Sequence, residues 1–143
     1  MVTEAVLDSS VIVALVTLEK HSDWVSNKIK EYKYYHILDL SFYEVANAVK
    51  YKVSDRFSQK DAATAFKQAE KIMNLYAIHN YSETITDSLN VALELNVSLY
   101  DAAFLVLADK LDRRLLTLDE KLSMKLECTK YFGLIEYPNK QFP

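Results

Sequence analysis

Ala5-Val-Leu-Asp-Ser-Ser-Val-Ile-Val-Ala-Leu-Val16 sets a short apolar run, one acidic residue, two serines and a second apolar run within twelve residues. The first run has strand length, and the second opens a helical pattern with no polar face. The stretch therefore reads as a buried strand, a turn at Asp8 and a buried helix. A carboxylate between two buried elements costs free energy unless hydrogen bonds or positive charge meet it.

Working outward, short apolar runs keep alternating with longer helical patterns. Strands are expected near Ala5–Leu7, His36–Leu38, Tyr76–Ile78 and Leu115–Leu118, with a weak fifth near Leu134–Glu136. That order predicts an α/β domain, a parallel sheet of about four to five strands flanked by helices. The 143 residues fit a single domain spanning 1–143. There is no internal repeat, low-complexity tract or linker; the only glycine is Gly133, and Pro138 and Pro143 stand at the end.

Half the residues are hydrophobic and 26% are charged, the composition of a globular chain and not of a disordered one. Cys128 has no second cysteine to pair with, and His21, His36 and His79 are scattered without zinc-site spacing. Glu4 and Asp8 sit where a signal peptide carries positive charge, and the longest apolar run, Ala102 to Ala108, is seven residues. A cytoplasmic protein with no membrane span is the expectation.

Four acids fall at comparable places. Asp8 ends the first strand, Glu44 lies in the first turn of the helix after the second, Asp101 precedes the apolar helix Ala102–Ala108, and Asp119 follows a late strand. Strand-to-helix junctions of an open parallel sheet gather at its carboxyl edge, so acids separated by 36, 57 and 18 positions are expected to converge there. Phe42, Val45, Ala46, Val49 and Val53 form the apolar stripe of the second helix. Glu44 points roughly 150° from its centre, toward water or a cleft.

Helix capping explains each acid singly. Ser41 with Glu44 has the spacing of a capping box, Ser98 with Asp101 and Thr117 with Glu120 follow similar patterns, and Ser58 with Asp61 matches where no function is expected. Capping does not explain the four together. Carboxylates about 5 Å apart repel by about 3 kcal/mol per pair at an effective dielectric near 20, which a cation or protonation must relieve. Oxygen-only ligands favour Mg²⁺ or Mn²⁺ over zinc. The net charge of −3 does not exclude a nucleic-acid substrate, because without those four carboxylates the remainder is +1.

The segments Val6-Leu-Asp8-Ser-Ser10, Ser41-Phe-Tyr-Glu44-Val-Ala-Asn-Ala, Leu99-Tyr-Asp101-Ala-Ala-Phe and Leu116-Thr-Leu-Asp119-Glu-Lys-Leu122 resemble, in order, the four acidic motifs of PIN domains. The match runs over nearly the whole chain. In its size and lack of further domains the chain is most similar to VapC-type toxins, single PIN domains that cleave RNA and are held inactive by a small antitoxin. The resemblance implies a doubly wound fold and endonucleolytic hydrolysis of RNA. It also implies Mg²⁺, with Mn²⁺ able to substitute, held chiefly by Asp8 and Asp101 with Glu44 and Asp119 completing the site. A small antitoxin partner and a homodimer follow from the same resemblance. Ser10 and Thr117 match small polar residues that support the first and last acids, with local turn bonding as the alternative. Asp39 adds a fifth acid near the expected cleft, as a cap or as a ligand.

Rival readings fit less well. A haloacid-dehalogenase-type phosphatase needs a second Asp two residues after the first, where this chain has Ser10, and a phosphorelay receiver needs an acidic neighbour that Asp8 lacks. An RNA-processing PIN nuclease outside a toxin–antitoxin pair, and a catalytically silent PIN-like binding module, remain as alternatives. Lys20, Lys28, Lys30, Lys33, Lys50, Lys52, Arg113 and Arg114 are scattered as solvated faces are, although phosphate contacts are open to them. Tyr32, Tyr34 and Tyr35 are the expected protein–protein surface.

Overall fold

The computed structural model describes residues 3–138. Strand β1 (Glu4–Leu7) is central, and the five parallel strands run in the order β3-β2-β1-β4-β5. Here β2 is Tyr34–Leu38, β3 Ala77–His79, β4 Arg114–Leu116 and β5 Ile135–Glu136. From β1 the chain moves outward through β2 and β3, then returns to the other side of β1 for β4 and β5. The sheet is therefore doubly wound, with its switch point beside β1.

Side chains alternate across the strands, and both faces are covered, as a parallel sheet requires. Ala5, Leu7, Ile37 and Leu116 face a layer built by α1 (Ser9–Val16), α2 (Ser22–Lys28), α3 (Ser41–Tyr51) and α4 (Gln59–Met73). Val6, Leu38, Leu115 and Ile135 face α5 (Ile85–Leu95), α6 (Leu99–Leu111) and α7 (Glu120–Leu126). Val11 to Ala14 and Ala102 to Ala108 are all buried, as helices without a polar face must be.

The expected strands are present with shifted ends. Tyr76 leaves β3 because its N–H closes the last turn of α4 onto Met73, and β4 stops at Leu116 because Thr117 turns toward α7. A 3₁₀ turn over Lys130–Leu134 takes Leu134 out of β5. On α3 the buried stripe is Ser41, Val45 and Val49, while Val53 stands 40% exposed beyond the helix end. No single helix among the described residues is long and apolar enough to cross a membrane.

The carboxyl edge of the sheet receives the amino ends of the helices that follow it. One junction differs from the expected pattern: α6 follows helix α5, not a strand. Asn96 ends α5 in the left-handed region (φ 53°), a conformation asparagine tolerates, and the chain turns there into α6. Because α6 runs on to the start of β4, its own first turn, with Asp101, still lies at the carboxyl edge.

Candidate active site

Asp8 is the N-cap of α1. Its Oδ1 accepts from the backbone N–H of Ser10 at 3.1 Å and of Val11 at 3.4 Å, and from the Ser10 hydroxyl. The Ser10 oxygen in turn accepts from the N–H of Leu118 at 3.0 Å, which ties the β4–α7 turn to the first acid. Thr117, fully buried, also bonds the Asp8 carboxyl. Only 8% of Asp8 is exposed. Burial pushes its pKa up to about 6 against the opposing pull of these hydrogen bonds, and the charge of Asp101 adds to the rise.

Glu44 does not cap its helix, and the expected Ser41–Glu44 box is absent. Leu40 occupies the N-cap position, and the Ser41 hydroxyl is buried without a hydrogen-bond partner among the described residues. The Glu44 carboxylate is left free to reach across, where its Oε1 accepts from the Ser9 hydroxyl at 2.8 Å. Burial raises its pKa, with Asp101 contributing like charge. Asp39 serves the backbone instead: its two oxygens accept from the N–H of Leu40 at 2.8 Å and of Tyr81 at 3.0 Å.

Asp101 sits in the first turn of α6, where its N–H donates to the Ser98 hydroxyl at 3.0 Å. Burial raises its pKa, the Ser98 bond opposes the rise, Asp119 adds repulsion and Lys125 partly relieves it. Asp119 is the N-cap of α7, accepting from the N–H of Leu122 at 3.0 Å, so the Thr117–Glu120 pattern is not a box. The Thr117 hydroxyl accepts instead from the N–H of Asp119 at 3.1 Å, which joins the last acid to the first.

The four acids are neighbours, with Asp101 at the hub: it senses Asp119, and both Asp8 and Glu44 sense it. They do not form the tight cluster expected. Among the described residues no three His, Cys, Asp or Glu side chains are drawn together into a cage for a metal ion. Each acid is instead held back on its own serine, threonine or backbone donor, the arrangement that unrelieved repulsion favours. None of the four forms an ion pair with a described basic residue. An all-oxygen donor set, part buried, mutually repelling and with only Lys125 nearby to offset Asp101, fits a hard divalent cation.

Sequence reasoning missed Ser9 and Lys125. Ser9 meets Glu44 only because α1 packs on α3, and no spacing announces a pair 35 residues apart. Several of the scattered basic residues are occupied by acids of the chain: Lys28 and Arg114 pair with Glu136, Lys52 with Glu19, and Arg113 with Glu4. Of the three tyrosines expected at a protein surface, only Tyr34 is exposed. Tyr35 donates to the carbonyls of Ile29 and Tyr32 and packs on Tyr76, and Tyr32 lies against the core.

The sequence profile of the PIN domain matches residues 5–125. Ribonuclease VapC3 of Pyrobaculum aerophilum is 33% identical over 121 residues, which cover 84% of this chain and 92% of that protein. A crystal structure of a Pyrobaculum aerophilum protein superposes with a TM-score of 0.64 at 26% identity, over 94% of this chain and 83% of the other. A toxin–antitoxin complex from Klebsiella pneumoniae gives a TM-score of 0.68 at 16% identity, over 96% of this chain and 99% of its match, a likeness of fold. The doubly wound sheet, the acids at its carboxyl edge and a profile match over most of the sequence agree that this chain belongs to the PIN domain family.

Proposed function

We propose that this protein is a divalent-cation-dependent endoribonuclease, the toxin of a toxin–antitoxin pair, and that Asp8, Glu44, Asp101 and Asp119 are its active-site acids. The observation that carries this reading is Asp8: a carboxylate 8% exposed, at the switch point of a PIN fold, with acidic neighbours and no basic partner. The similarity to a Pyrobaculum ribonuclease supports the substrate, and the likeness to a chain of a Klebsiella toxin–antitoxin complex supports the small protein partner.

Asp8 and Asp101 would hold Mg²⁺ or Mn²⁺, with Glu44 and Asp119 completing the set. Bound there, such a cation supplies countercharge to the scissile phosphate and lowers the pKa of water. The residues of the chain do the positioning. Ser10 and Thr117 fix Asp8, Thr117 also fixes the start of α7, and Ser9 aims Glu44. His36 and His79 are engaged with each other and with Glu4 and Glu83. With its pKa lowered by the cation, water would be the attacking group, entering in line at phosphorus as the 3′ oxygen departs.

In the same reading the protein works in the cytoplasm as a homodimer. Supporting the dimer, α5 turns Ile85, Leu89 and Leu93 outward at four-residue spacing, an apolar stripe of the kind oligomer interfaces cover.

Purified protein is expected to cleave single-stranded or looped RNA with Mg²⁺ or Mn²⁺ and to stop in excess EDTA. The products should carry 5′-phosphate and 3′-hydroxyl ends, read by end-labelling. Activity that persists in EDTA sinks the metal mechanism, and cyclic 2′,3′-phosphate ends sink water as the nucleophile.

A further inference from the structure

Beside the acids, a cavity of about 520 Å³ is lined by Leu40, Tyr43, Glu44, Asn47 and Tyr100. Its two aromatic rings come from different helices, and each belongs to the residue immediately before an acid: Tyr43 before Glu44 on α3, Tyr100 before Asp101 on α6. Tyr43 is 85% exposed and Tyr100 59% exposed, and neither stacks on another described ring or carries a cation over its face. Tyrosines placed to fill a core do not stand in this way. The cavity falls within the range of small-ligand pockets, roughly 300–1,000 Å³.

We propose that this cavity takes one unpaired nucleobase of the RNA, next to the scissile phosphate, stacked on Tyr43 and Tyr100 and read along its edge by the Asn47 amide. The lining has an acid and no lysine or arginine, so it disfavours a phosphate and suits a neutral base. Asn47 is exposed, and its amide presents both donors and an acceptor, the pairing that base edges use. A base inside a duplex cannot enter, so the pocket selects single-stranded or looped RNA. This inference rests on the nuclease reading above and adds to it the residues that choose the substrate.

The test is single-turnover cleavage of one single-stranded RNA that the parent cuts, with Mg²⁺ present and RNA concentration varied to separate half-saturation from maximal rate. Tyr43→Ala, Tyr100→Ala and Asn47→Ala are expected to raise the half-saturating concentration, the two tyrosine changes by roughly 5- to 100-fold, the range for lost base stacking. The maximal rate should change far less. Tyr43→Phe should recover most of the loss, and Tyr34→Ala, at the opposite edge of the sheet, should behave as the parent. In the parent, an abasic nucleotide beside the cleavage site should reproduce the defect of Tyr43→Ala, and the two together should be no worse than either alone. If the parent cleaves while the alanine variants keep its half-saturation, or if the abasic and alanine losses simply add, the base pocket is overturned and the nuclease reading stands. If the parent cleaves no RNA under any cation, the nuclease reading falls and this proposal falls with it.

Discussion

Asp101→Asn and Asp8→Asn are expected to reduce RNA cleavage by on the order of a thousandfold while leaving the protein folded. Asparagine caps a helix about as well as aspartate and accepts the same backbone bonds, so Asp8→Asn can keep its contacts with the N–H groups of Ser10 and Val11. The variants lose charge and little else. Because Asp101 is the member whose charge the other three share, its neutralisation also relieves repulsion, and its melting temperature in EDTA should equal or exceed the parent's. Asp61→Asn is the control. Asp61 sits in a true capping box with Ser58, bonds of 2.8 and 3.0 Å, on the exposed face of α4, and its replacement should leave cleavage at the parental rate. If Asp8→Asn and Asp101→Asn keep full activity in well-folded protein, the acids are caps and the nuclease assignment is withdrawn.

The second large effect is on stability. Burial holds the Asp8 carboxyl at a pKa of about 6, against an ordinary value of 3.8. In the cation-free protein the folded state therefore binds a proton between about pH 4 and pH 6 that the unfolded state has released, so the stability contributed by this group falls as pH rises through that window and is level above it. The shift corresponds to about 3 kcal/mol. Glu44 and Asp101 are displaced in the same direction. Acids such as Glu4 and Glu83, held low chiefly by hydrogen bonds from His36 and His79, oppose this trend, so the parent's melting curve alone does not isolate it. The difference between the parent and Asp8→Asn in EDTA does. It should grow in favour of the variant from about pH 4 to pH 6 and stay level above, and Mg²⁺ should close it by stabilising only the parent. A difference that stays constant across this range, or a parent whose melting temperature ignores Mg²⁺, returns Asp8 to a purely structural role.

Much of the site was legible because its logic is local. Asp8 stood out as a charge between an apolar strand and an apolar helix, and Glu44 as an acid off the buried stripe of α3. The errors arose where two local rules competed. Ser41 and Glu44 have capping-box spacing, but Leu40 is the N-cap of α3, its N–H donates to Asp39, and Ser41 is buried against the core. Asp101 was read as following a strand, because α5 and α6 are separated only by the left-handed turn at Asn96. Tertiary partners were invisible: the Ser9 hydroxyl on Glu44 and the Ser10 oxygen on Leu118 join positions 35 and 108 residues apart. Nothing in the sequence marks Tyr43 and Tyr100 among ten tyrosines, and only the packed structure separates them from the partly buried Tyr32 and Tyr35. The tight cluster of carboxylates was an inference from the shared edge of the sheet. It overlooked that hydroxyls and helix N–H groups can hold each acid apart until a cation arrives.

The central claim, that these acids are a cation site at the carboxyl edge of the sheet, is tested most directly by anomalous scattering from crystals equilibrated with Mn²⁺ at the concentration that saturates cleavage. The account predicts a strong peak within ligand distance of the Asp8 and Asp101 carboxylates, absent from crystals of Asp101→Asn. Full Mn²⁺-dependent activity in solution with no peak at that edge, or a peak there that survives Asp101→Asn unchanged, would contradict it.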